Sequence, residues 1–456
     1  MVGVDPGSFR DPTSRVFYAN GQVYRALSRA GLDDFEALAR SGLLEDPRIV
    51  RTARVDEPPP DVLPHEAVAL LTHASIPVVS YPYEWTFSML RDAALLQLDL
   101  LLAALERDLI LKDASPYNVQ FRGARPVFID VGAFERLRPG ELWVGYRQFC
   151  MLYLYPLLLL ALKGVDFRPW LRGSIDGITP DALRRLMSFR DRFRRGLTTN
   201  VFLHARLERN MRPRAVRKAP GAVGSHVIRA NVRKMRKLVG SLDWQPPEGI
   251  WTRYGERNAY TEADARRKED FVREVAALCP RRLAWDLGAN DGRYSRVLAE
   301  HARHVVALDA DPGPVELLYR DLRATGDERI LPLAASVTDP SPGLGWRGRE
   351  RRPLLERGPP DLVLALALVH HVSIAANVPL SEFVDWLAEL GSPLVVEFPT
   401  RDDPMVQTLL APKGEGLHPD YELDVFERRL GAAFDVRRRE RLASGTRVLF
   451  YATPRA

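Results

Sequence analysis

Two aspartates and two glycines in the C-terminal half of the chain follow apolar runs at a regular spacing. The stretch AWDLGANDGRYS contains Asp286, Gly288 and Gly292, and HVVALDADP contains Asp309, 23 residues after Asp286. Each aspartate closes a run typical of a buried strand. A glycine turn lets the backbone approach a ligand closely, and a carboxylate after the next strand can accept both hydroxyls of a ribose. The pattern therefore predicts a nucleoside site.

The elements that must position these residues form a repeating pattern. From Arg282 onward, the apolar runs LAWDLG, HVVALDA, RILPLAAS, DLVLALALV and PLVVEF alternate with helical stretches. This alternation indicates a Rossmann-like, doubly wound α/β sheet. Only ASG separates the last two runs, AFDVRRRERL and TRVLFYATP. Because this is too short for a crossover helix, we expect an antiparallel terminal hairpin at the sheet edge.

The pattern D-x-G-x-x-x-G lacks the third glycine of the dinucleotide fingerprint. With the acid in front and the terminal hairpin, the segment from about Tyr260 to the C-terminus resembles the class I S-adenosylmethionine-dependent methyltransferases. The resemblance implies S-adenosyl-L-methionine as cofactor. The cofactor-binding residues it implies are Asp286, Gly288, Ala289, Asn290, Gly292, Asp309, Ala310, Ala335, Ser336 and Leu366.

Three further residues are candidates for catalysis. The stretch LALALVHHV matches the fourth strand and its exit loop in that family, which implies that His370 and His371 face the sulfonium and the acceptor. Imidazole titrates near neutrality and can remove a proton from a hydroxyl acceptor. The alternative is that the histidines only shape the pocket. Glu397 in VVEFPTRDDP is the third candidate, because ligands of open α/β sheets bind at the carboxyl ends of the strands.

A second set of residues that could take part in catalysis or metal binding occurs in the first half, in LKDASPYNVQFRGARPVFIDVGAF. Asp113, Asn118 and Asp130 in this stretch resemble the catalytic segment of the protein-kinase and aminoglycoside-phosphotransferase superfamily. The resemblance implies an α+β kinase-like domain, ATP and Mg as further cofactors, and Asn118 and Asp130 as metal ligands wherever nucleotide and Mg bind.

The first half also departs from that superfamily. Leu111 stands where a histidine is usual, Arg25 stands where a phosphate-anchoring lysine is expected, and no G-x-G-x-x-G loop occurs. Three interpretations stay open: a kinase-like domain that binds substrate or nucleotide without transferring phosphate, an active small-molecule or sugar kinase, and a coincidental similarity.

The elements of the first half fit two lobes. RVFYANGQVYRALS predicts two strands around an Asn-Gly turn, and TFSMLRDAALLQLDLLLAALERD predicts a long buried helix. YNVQF and PVFID predict a short hairpin. We expect a β-rich lobe at about 15–80 and a helical lobe at about 85–210, which together form a kinase-like domain over 1–210. A basic linker over 211–259 and a methyltransferase domain over 260–456 follow.

Composition narrows the class of protein. Of 456 residues, 46% are hydrophobic and 27% are charged, which is typical of a globular protein. The net charge of +6 gives no reason to expect a nucleic-acid partner. The two cysteines, Cys150 and Cys279, indicate neither a disulfide framework nor a thiolate metal site, so we expect a cytoplasmic protein. The apolar run FCMLYLYPLLLLAL is too short to span a membrane and is expected to be a buried helix.

The whole chain resembles a group of bacterial nodulation-associated methyltransferases through SYPYEW, LKDASPYN and DDPMVQ. We expect a methyltransferase that acts on a small-molecule or glycan-like acceptor, with the N-terminal domain presenting the acceptor or binding nucleotide. The alternatives are a bifunctional phosphotransferase and methyltransferase acting on a sugar or metabolite, and a nucleotide-gated binding module. The sequence specifies neither the acceptor, nor the atom that is methylated, nor the oligomeric state.

Overall fold

The computed structural model describes residues 3–56, 67–210, 224–247, 261–414 and 416–455. Its contacts divide the chain into two compact units. The first comprises Met1–Phe121, Pro126–Gln245 and Gly343–Arg352, and the second comprises Arg122–Arg125, Pro246–Pro342 and Pro353–Ala456. Much of the expected linker, 211–223 and 248–259, lies outside the described residues, as does the expected start of the second domain at Tyr260.

The first half of the chain carries short strands followed by helices. The strands are β1 (Gly3–Val4), β2 (Ser14–Ala19), β3 (Gln22–Leu27), β4 (Thr52–Arg54), β5 (Ala69–His73), β6 (Leu109–Leu111), β7 (Val119–Arg122), β8 (Arg125–Phe128) and β9 (Phe134–Arg136). The helices are α1 (Arg29–Arg40), α2 (Phe87–Leu105), α3 (Tyr146–Phe149), α4 (Tyr155–Lys163), α5 (Arg168–Gly173), α6 (Pro180–Leu186), α7 (His204–Asn210) and α8 (Ser225–Gly240).

Strands β1 to β5 form one antiparallel sheet in the order β1-β2-β3-β5-β4. Asn20 and Gly21 between β2 and β3 both have positive φ, 50° and 74°, which confirms the predicted Asn-Gly turn. The predicted hairpin of β7 and β8 is also confirmed. The pairing of β6 with β9 was not predicted, because strands of three residues carry too little periodicity to be recognised.

The helical part of this unit is built around α2, and its central residues are fully buried. The side chain of Thr86 caps the helix by accepting the N–H of Met89, which confirms the predicted long helix. The apolar run that includes α3 and α4 is buried as expected, with a π-helical segment at Cys150–Leu154 between the two helices. Among the described residues, no helix combines the length and apolarity that a membrane crossing requires.

Helix α8 falls inside the predicted basic linker and packs against α2. Its buried side chains, which include Ile228, Val232 and Met235, recur at helical spacing. Arg236 on α8 forms an ion pair with Asp99 on α2. Residues 224–245 of the predicted linker are therefore grouped with the first unit.

The second unit is an α/β sheet with helices. Its strands are β10 (Arg281–Leu287), β11 (Ala302–Asp309), β12 (Ile330–Ala334), β13 (Leu362–Ala365), β14 (Leu394–Pro399), β15 (Phe434–Arg441) and β16 (Arg447–Pro454). Its helices are α9 (Glu262–Ala276), α10 (Arg293–Ala299), α11 (Pro312–Thr325), α12 (Leu380–Glu389), α13 (Pro404–Leu410) and α14 (Leu423–Ala433). The predicted capping of α9 is confirmed, since the Thr261 side chain accepts the N–H of Asp264.

The seven strands follow the order β12-β11-β10-β13-β14-β16-β15. Strands β10 to β14 are parallel, whereas β16 is antiparallel to both β14 and β15. This confirms the doubly wound sheet and its terminal hairpin. The carboxyl ends of β10, β11, β13 and β14 meet at one edge of the sheet, and this edge carries the candidate residues.

Candidate active site

The turn after β10 is tied to the neighbouring strand by its backbone. The N–H groups of Gly288 and Ala289 both donate to the carbonyl oxygen of Leu308, at 2.8 and 2.9 Å. Gly288 and Gly292 both have a φ of 75°, which glycine adopts without strain. At Gly292 a Cβ atom would also lie 2.7 Å from the side chain of Leu318. The glycines are therefore required for the shape of this turn.

Asp309, the last residue of β11, faces the same turn. Its Oδ2 atom accepts the N–H of Asn290 at 2.8 Å, and its Oδ1 atom accepts the N–H of Asp311 at 2.9 Å. Burial raises the pKa of Asp309, while these backbone N–H groups act in the opposite direction. Each carboxylate oxygen has further lone-pair capacity, so the half-buried group can also accept hydrogen bonds from a ligand. The residues present therefore fit a ligand that carries a diol.

Asp286 lies behind the turn and is 1% exposed. Its Oδ2 atom accepts a hydrogen bond of 2.6 Å from the Ser295 hydroxyl. Burial raises the pKa of Asp286 to about 6, against the opposing effect of Ser295 and of the positive charge on Lys268. The carboxyl group thus supports the turn from the interior.

The other predicted cofactor residues lie near the ends of β11, β12 and β13. Ala310 is exposed, and the N–H of Ala335 donates to the carbonyl oxygen of Asp309 at 2.8 Å. The Ser336 hydroxyl lies 2.8 Å from the Thr338 hydroxyl and is half-buried. Leu366 is 5% exposed. The structure places these residues on the same edge of the sheet as Asp309.

His370 and His371 follow β13 with their ring centroids 4.1 Å apart. His370 is fully buried, and neither of its ring nitrogens has a hydrogen-bond partner within the described part of the chain. Burial lowers the pKa of His370 well below its usual range. Burial, followed by the charge of Arg447, lowers the pKa of His371 to about 4. Both rings are therefore neutral at neutral pH, and each is a weaker base than a free imidazole.

Glu397, the third predicted catalytic residue, belongs to a buried ionic network. Its Oε2 atom lies 2.5 Å from Nζ of Lys268, and its Oε1 atom lies 3.2 Å from Arg447. Arg447 in turn binds Asp403 through Nε at 2.7 Å. All four side chains are at most 2% exposed. Two cations and two anions thus compensate one another in the interior, as buried charges require.

Glu397 also fixes the backbone that leads to the histidines. Its Oε2 atom accepts the N–H of Ala367 at 2.8 Å, and Ala367 has a φ of 50°, a left-handed conformation that costs energy in a residue with a Cβ atom. Lys268, a further member of this site, was not predicted from the sequence. The available signal was a lysine at helical spacing with Phe271, Val272 and Val275 on the buried face of α9.

The first unit brings its own three predicted residues together. Asp113 accepts the N–H of Ser115 at 3.0 Å, and burial, followed by the negative charge of Asp130, raises the pKa of Asp113. The buried Asn118 side chain opposes this rise in the pKa of Asp113, because it interacts with the Asp113 carboxylate as a hydrogen-bond donor. Asp130 forms a 2.7 Å ion pair with NH1 of Arg25, which is itself buried. A cation from β3 therefore already neutralises the carboxylate that the resemblance assigns to metal.

Two tyrosines of the first unit contact arginines of the segment Gly343–Arg352, which belongs to the same unit. The guanidinium of Arg351 lies 3.8 Å from the ring centroid of Tyr117, the neighbour of Asn118. The Tyr81 hydroxyl, in the stretch SYPYEW, accepts the N–H of Arg352 at 2.8 Å.

Within the described residues, no group of three or more acidic, histidine or cysteine side chains is arranged to hold a metal ion.

The chain was compared with family models, with solved structures and with curated proteins. No family model matches it. NodS from Bradyrhizobium japonicum WM9, an N-methyltransferase solved with S-adenosyl-L-homocysteine, is 11% identical and aligns over 45% of this chain and 100% of its own, with a TM-score of 0.32. Magnesium protoporphyrin IX methyltransferase from Synechocystis PCC 6803 is 16% identical over 45% of this chain and 93% of its own, with a TM-score of 0.31.

The strand order described above, and not these two matches, defines the fold of the second unit. The nodulation protein NoeA of Rhizobium meliloti (strain 1021) is 31% identical over 456 residues, which cover 97% of this chain and 94% of that protein. Because this similarity extends over nearly the whole of both chains, the protein belongs to the family of the nodulation protein NoeA.

Proposed function

We propose that the second unit is an S-adenosylmethionine-dependent methyltransferase. The single observation that supports this most directly is the position of Asp309, whose carboxylate is held by the Asn290 N–H beside a turn with two glycines. This arrangement lies at the carboxyl ends of parallel strands in a sheet closed by an antiparallel hairpin. A nucleoside with a free diol suits such a site.

The residues of the chain take distinct parts in the proposed reaction. Asp309 binds the ribose hydroxyls, and the backbone from Gly288 to Gly292 provides space for the rest of the cofactor. When bound, the cofactor supplies a methyl group on a sulfonium centre. His371, whose ring is neutral at neutral pH, accepts the proton that a hydroxyl or ammonium acceptor must lose. His370 lies against it and orients its ring.

Glu397 acts on the reaction through the backbone. Its carboxylate is occupied by Lys268, Arg447 and the N–H of Ala367, so the proposed role is positioning rather than contact with the acceptor. By holding Ala367 in a left-handed conformation, Glu397 sets the path of the chain into His370. Precise placement of this kind matters because methyl transfer depends on in-line alignment of the reacting atoms.

The proposed acceptor is a small molecule or a glycan-like molecule, with the first unit presenting it or binding a nucleotide. The full chain should be incubated with S-adenosylmethionine labelled in the methyl group and with fractions of a bacterial cell extract, and labelled small molecules separated from labelled protein and nucleic acid. Label in a small-molecule or oligosaccharide fraction supports the proposal. Absence of both cofactor binding and labelling contradicts methyl transfer, whereas label in protein alone contradicts the acceptor class.

The second candidate function is phosphate transfer by the first unit, which would make the protein bifunctional. The two carboxyl groups of Asp113 and Asp130 lie close enough to interact electrostatically, which favours phosphate transfer. In kinases, one aspartate of such a pair activates the hydroxyl acceptor and the other binds metal. The ion pair of Arg25 with Asp130 favours binding without transfer, because it neutralises the metal ligand. Titration of ATP with and without Mg into the intact chain and an Asp130→Asn variant tests nucleotide binding, and release of ADP in the presence of a cell extract tests transfer. Mg-dependent ATP binding without release of ADP supports binding alone, whereas release of ADP that Asp130→Asn abolishes supports transfer chemistry.

A further inference from the structure

An aromatic pair projects from the first unit into solvent. Phe189 is 73% exposed and Phe193 is 74% exposed, and their ring centroids lie 5.3 Å apart with the ring planes at 78°. Leu186, the last residue of α6, is 42% exposed close by in the chain. The two rings contact each other edge to face. Solvent-facing groups of large apolar side chains on soluble proteins typically mark interaction sites.

The turn that carries the two rings is fixed from beneath. Asp191 is 4% exposed and accepts 2.7 Å hydrogen bonds from both the N–H and the hydroxyl of Ser188. Its carboxylate also forms ion pairs with Lys163 at the end of α4 and with Arg194. These contacts pin the helical turn at Arg190–Phe193 to the body of the unit. The rings are therefore presented on a fixed base.

The surroundings of the rings carry charge of one sign. Residues 184–195 include six arginines and a single acidic residue, Asp191, which is buried. Arg190, Arg192 and Arg195 are exposed and have no acidic partner in the part of the chain that the structure describes. An anionic surface is the charge-complementary partner of such a patch.

We propose that this patch, defined by Leu186, Phe189, Phe193 and the arginines at 190, 192 and 195, docks on the surface of an anionic lipid bilayer. The rings enter the boundary between headgroups and acyl chains, and the guanidinium groups bind lipid phosphates. A folded protein partner fits less well, because three apolar side chains cover far less than the roughly 800 Å² per partner that a stable protein interface buries.

The test is co-sedimentation of the full chain with vesicles of phosphatidylcholine alone and of phosphatidylcholine mixed with phosphatidylglycerol. We expect binding to the anionic vesicles, weakened at high salt because the charge contribution is screened. The double variant Phe189→Ala/Phe193→Ala should lower the partition coefficient at least tenfold, and Arg190→Gln/Arg192→Gln/Arg195→Gln should lower it and remove its salt dependence. Leu278→Ala, at a residue 62% exposed in the second unit, is the matched control and should bind normally.

Several outcomes overturn the proposal. The first is that the wild-type chain fails to bind anionic vesicles. The second is that the phenylalanine variant binds them as well as the wild type does. The third is that the arginine variant binds each kind of vesicle as well as the wild type does. Concentration-dependent dimerisation that Phe189→Ala/Phe193→Ala abolishes, without vesicle binding, would assign the patch to a second copy of the chain instead. Because the substituted side chains are exposed, unchanged thermal unfolding of each variant verifies that its fold is intact. Free glycerol phosphate as a competitor distinguishes the bilayer from a soluble phosphate.

Discussion

The Oδ2 atom of Asp309 lies 2.8 Å from the backbone nitrogen of Asn290 and accepts its N–H. This hydrogen bond joins the end of β11 to the turn after β10. The carboxylate and the glycine turn, which are 17 to 21 residues apart in the sequence, are therefore parts of one site. An Asp309 pointing away from this turn would have ruled out the ribose assignment.

Replacing Asp309 with alanine should strongly weaken binding of S-adenosylmethionine. Losing charge-assisted hydrogen bonds to a ribose diol should weaken affinity by roughly 30- to 1000-fold, equivalent to about 2–4 kcal/mol. Titration calorimetry on the full chain measures this directly. Asp321→Ala is the matched control, because Asp321 is an exposed acid of the same unit that pairs with Arg296 at the surface. Equal affinity of Asp309→Ala and the wild type would contradict the assignment.

Local patterns were sufficient to predict much of the second unit. Alternating apolar runs indicated the parallel strands, and a connection of only a few residues indicated the terminal hairpin, since both depend on short-range periodicity and turn length. Asp309 and the glycine turn could be recognised for the same reason. The Asn20-Gly21 turn of the first unit is a further example, because its positive φ values follow from residue type.

Long-range packing was not visible in the sequence. Lys268 on α9 and Arg447 on β16 are 179 positions apart, and only the folded chain shows that both neutralise Glu397. Likewise, the segment Gly343–Arg352 lies within the predicted second domain but is grouped with the first unit by its contacts. Neither relationship leaves a periodic pattern, so local reasoning could not have found it.

Replacing His370 with leucine should stabilise the cofactor-free protein and reduce methyl transfer. Both ring nitrogens of His370 are buried without partners among the described residues, and each such group carries a desolvation penalty that an apolar side chain removes. The expected gain is about 1–3 kcal/mol in the free energy of unfolding, measured with urea.

The matched control for this prediction is His73→Leu. His73 is also buried, but it contacts Thr52 at 2.8 Å and the Nε of Arg25 at 3.3 Å. Its replacement leaves these partners unsatisfied and should lower stability by about 1–3 kcal/mol. If both leucine variants destabilise the protein equally, His370 has hydrogen-bond partners in solution. Its description as a buried imidazole without partners would then be wrong.

The buried ionic network should respond strongly to loss of its central acid. Glu397→Gln removes the carboxylate that pairs with both Lys268 and Arg447, and uncompensated buried charge typically costs about 3–5 kcal/mol. The double variant Lys268→Met/Glu397→Gln removes one cation as well and should recover more than about 1 kcal/mol of this loss.

Denaturant unfolding of the single and double variants measures the coupling in this network. Asp424→Asn serves as the surface control, because Asp424 and Arg428 form an ion pair in which both side chains are 68% exposed. Its unfolding midpoint should not change, since exposed pairs contribute little. Strictly additive effects of Lys268→Met and Glu397→Gln would show that the two charges do not depend on each other.

Replacing Asp286 with asparagine should alter how stability depends on pH. Burial raises the pKa of Asp286 to about 6 in the folded protein, from about 3.9 in an unfolded chain. The folded state therefore binds this proton more tightly than the unfolded state does. Its contribution is favourable below pH 4 and is lost as the pH rises to about 6, by up to about 3 kcal/mol. The asparagine variant, which cannot ionise and whose carbonyl can still accept from Ser295, should lack this loss.

The measurement is the free energy of unfolding of both proteins in urea from pH 4 to pH 7.5. The difference, wild type minus Asp286→Asn, should fall as the pH rises and level off above about pH 6.5. His370 and His371 have lowered pKa values and produce the opposite slope, with stability lost as the pH falls, but they are common to both proteins and cancel in the difference. Parallel pH profiles would mean that Asp286 ionises as readily in the folded protein as in the unfolded chain.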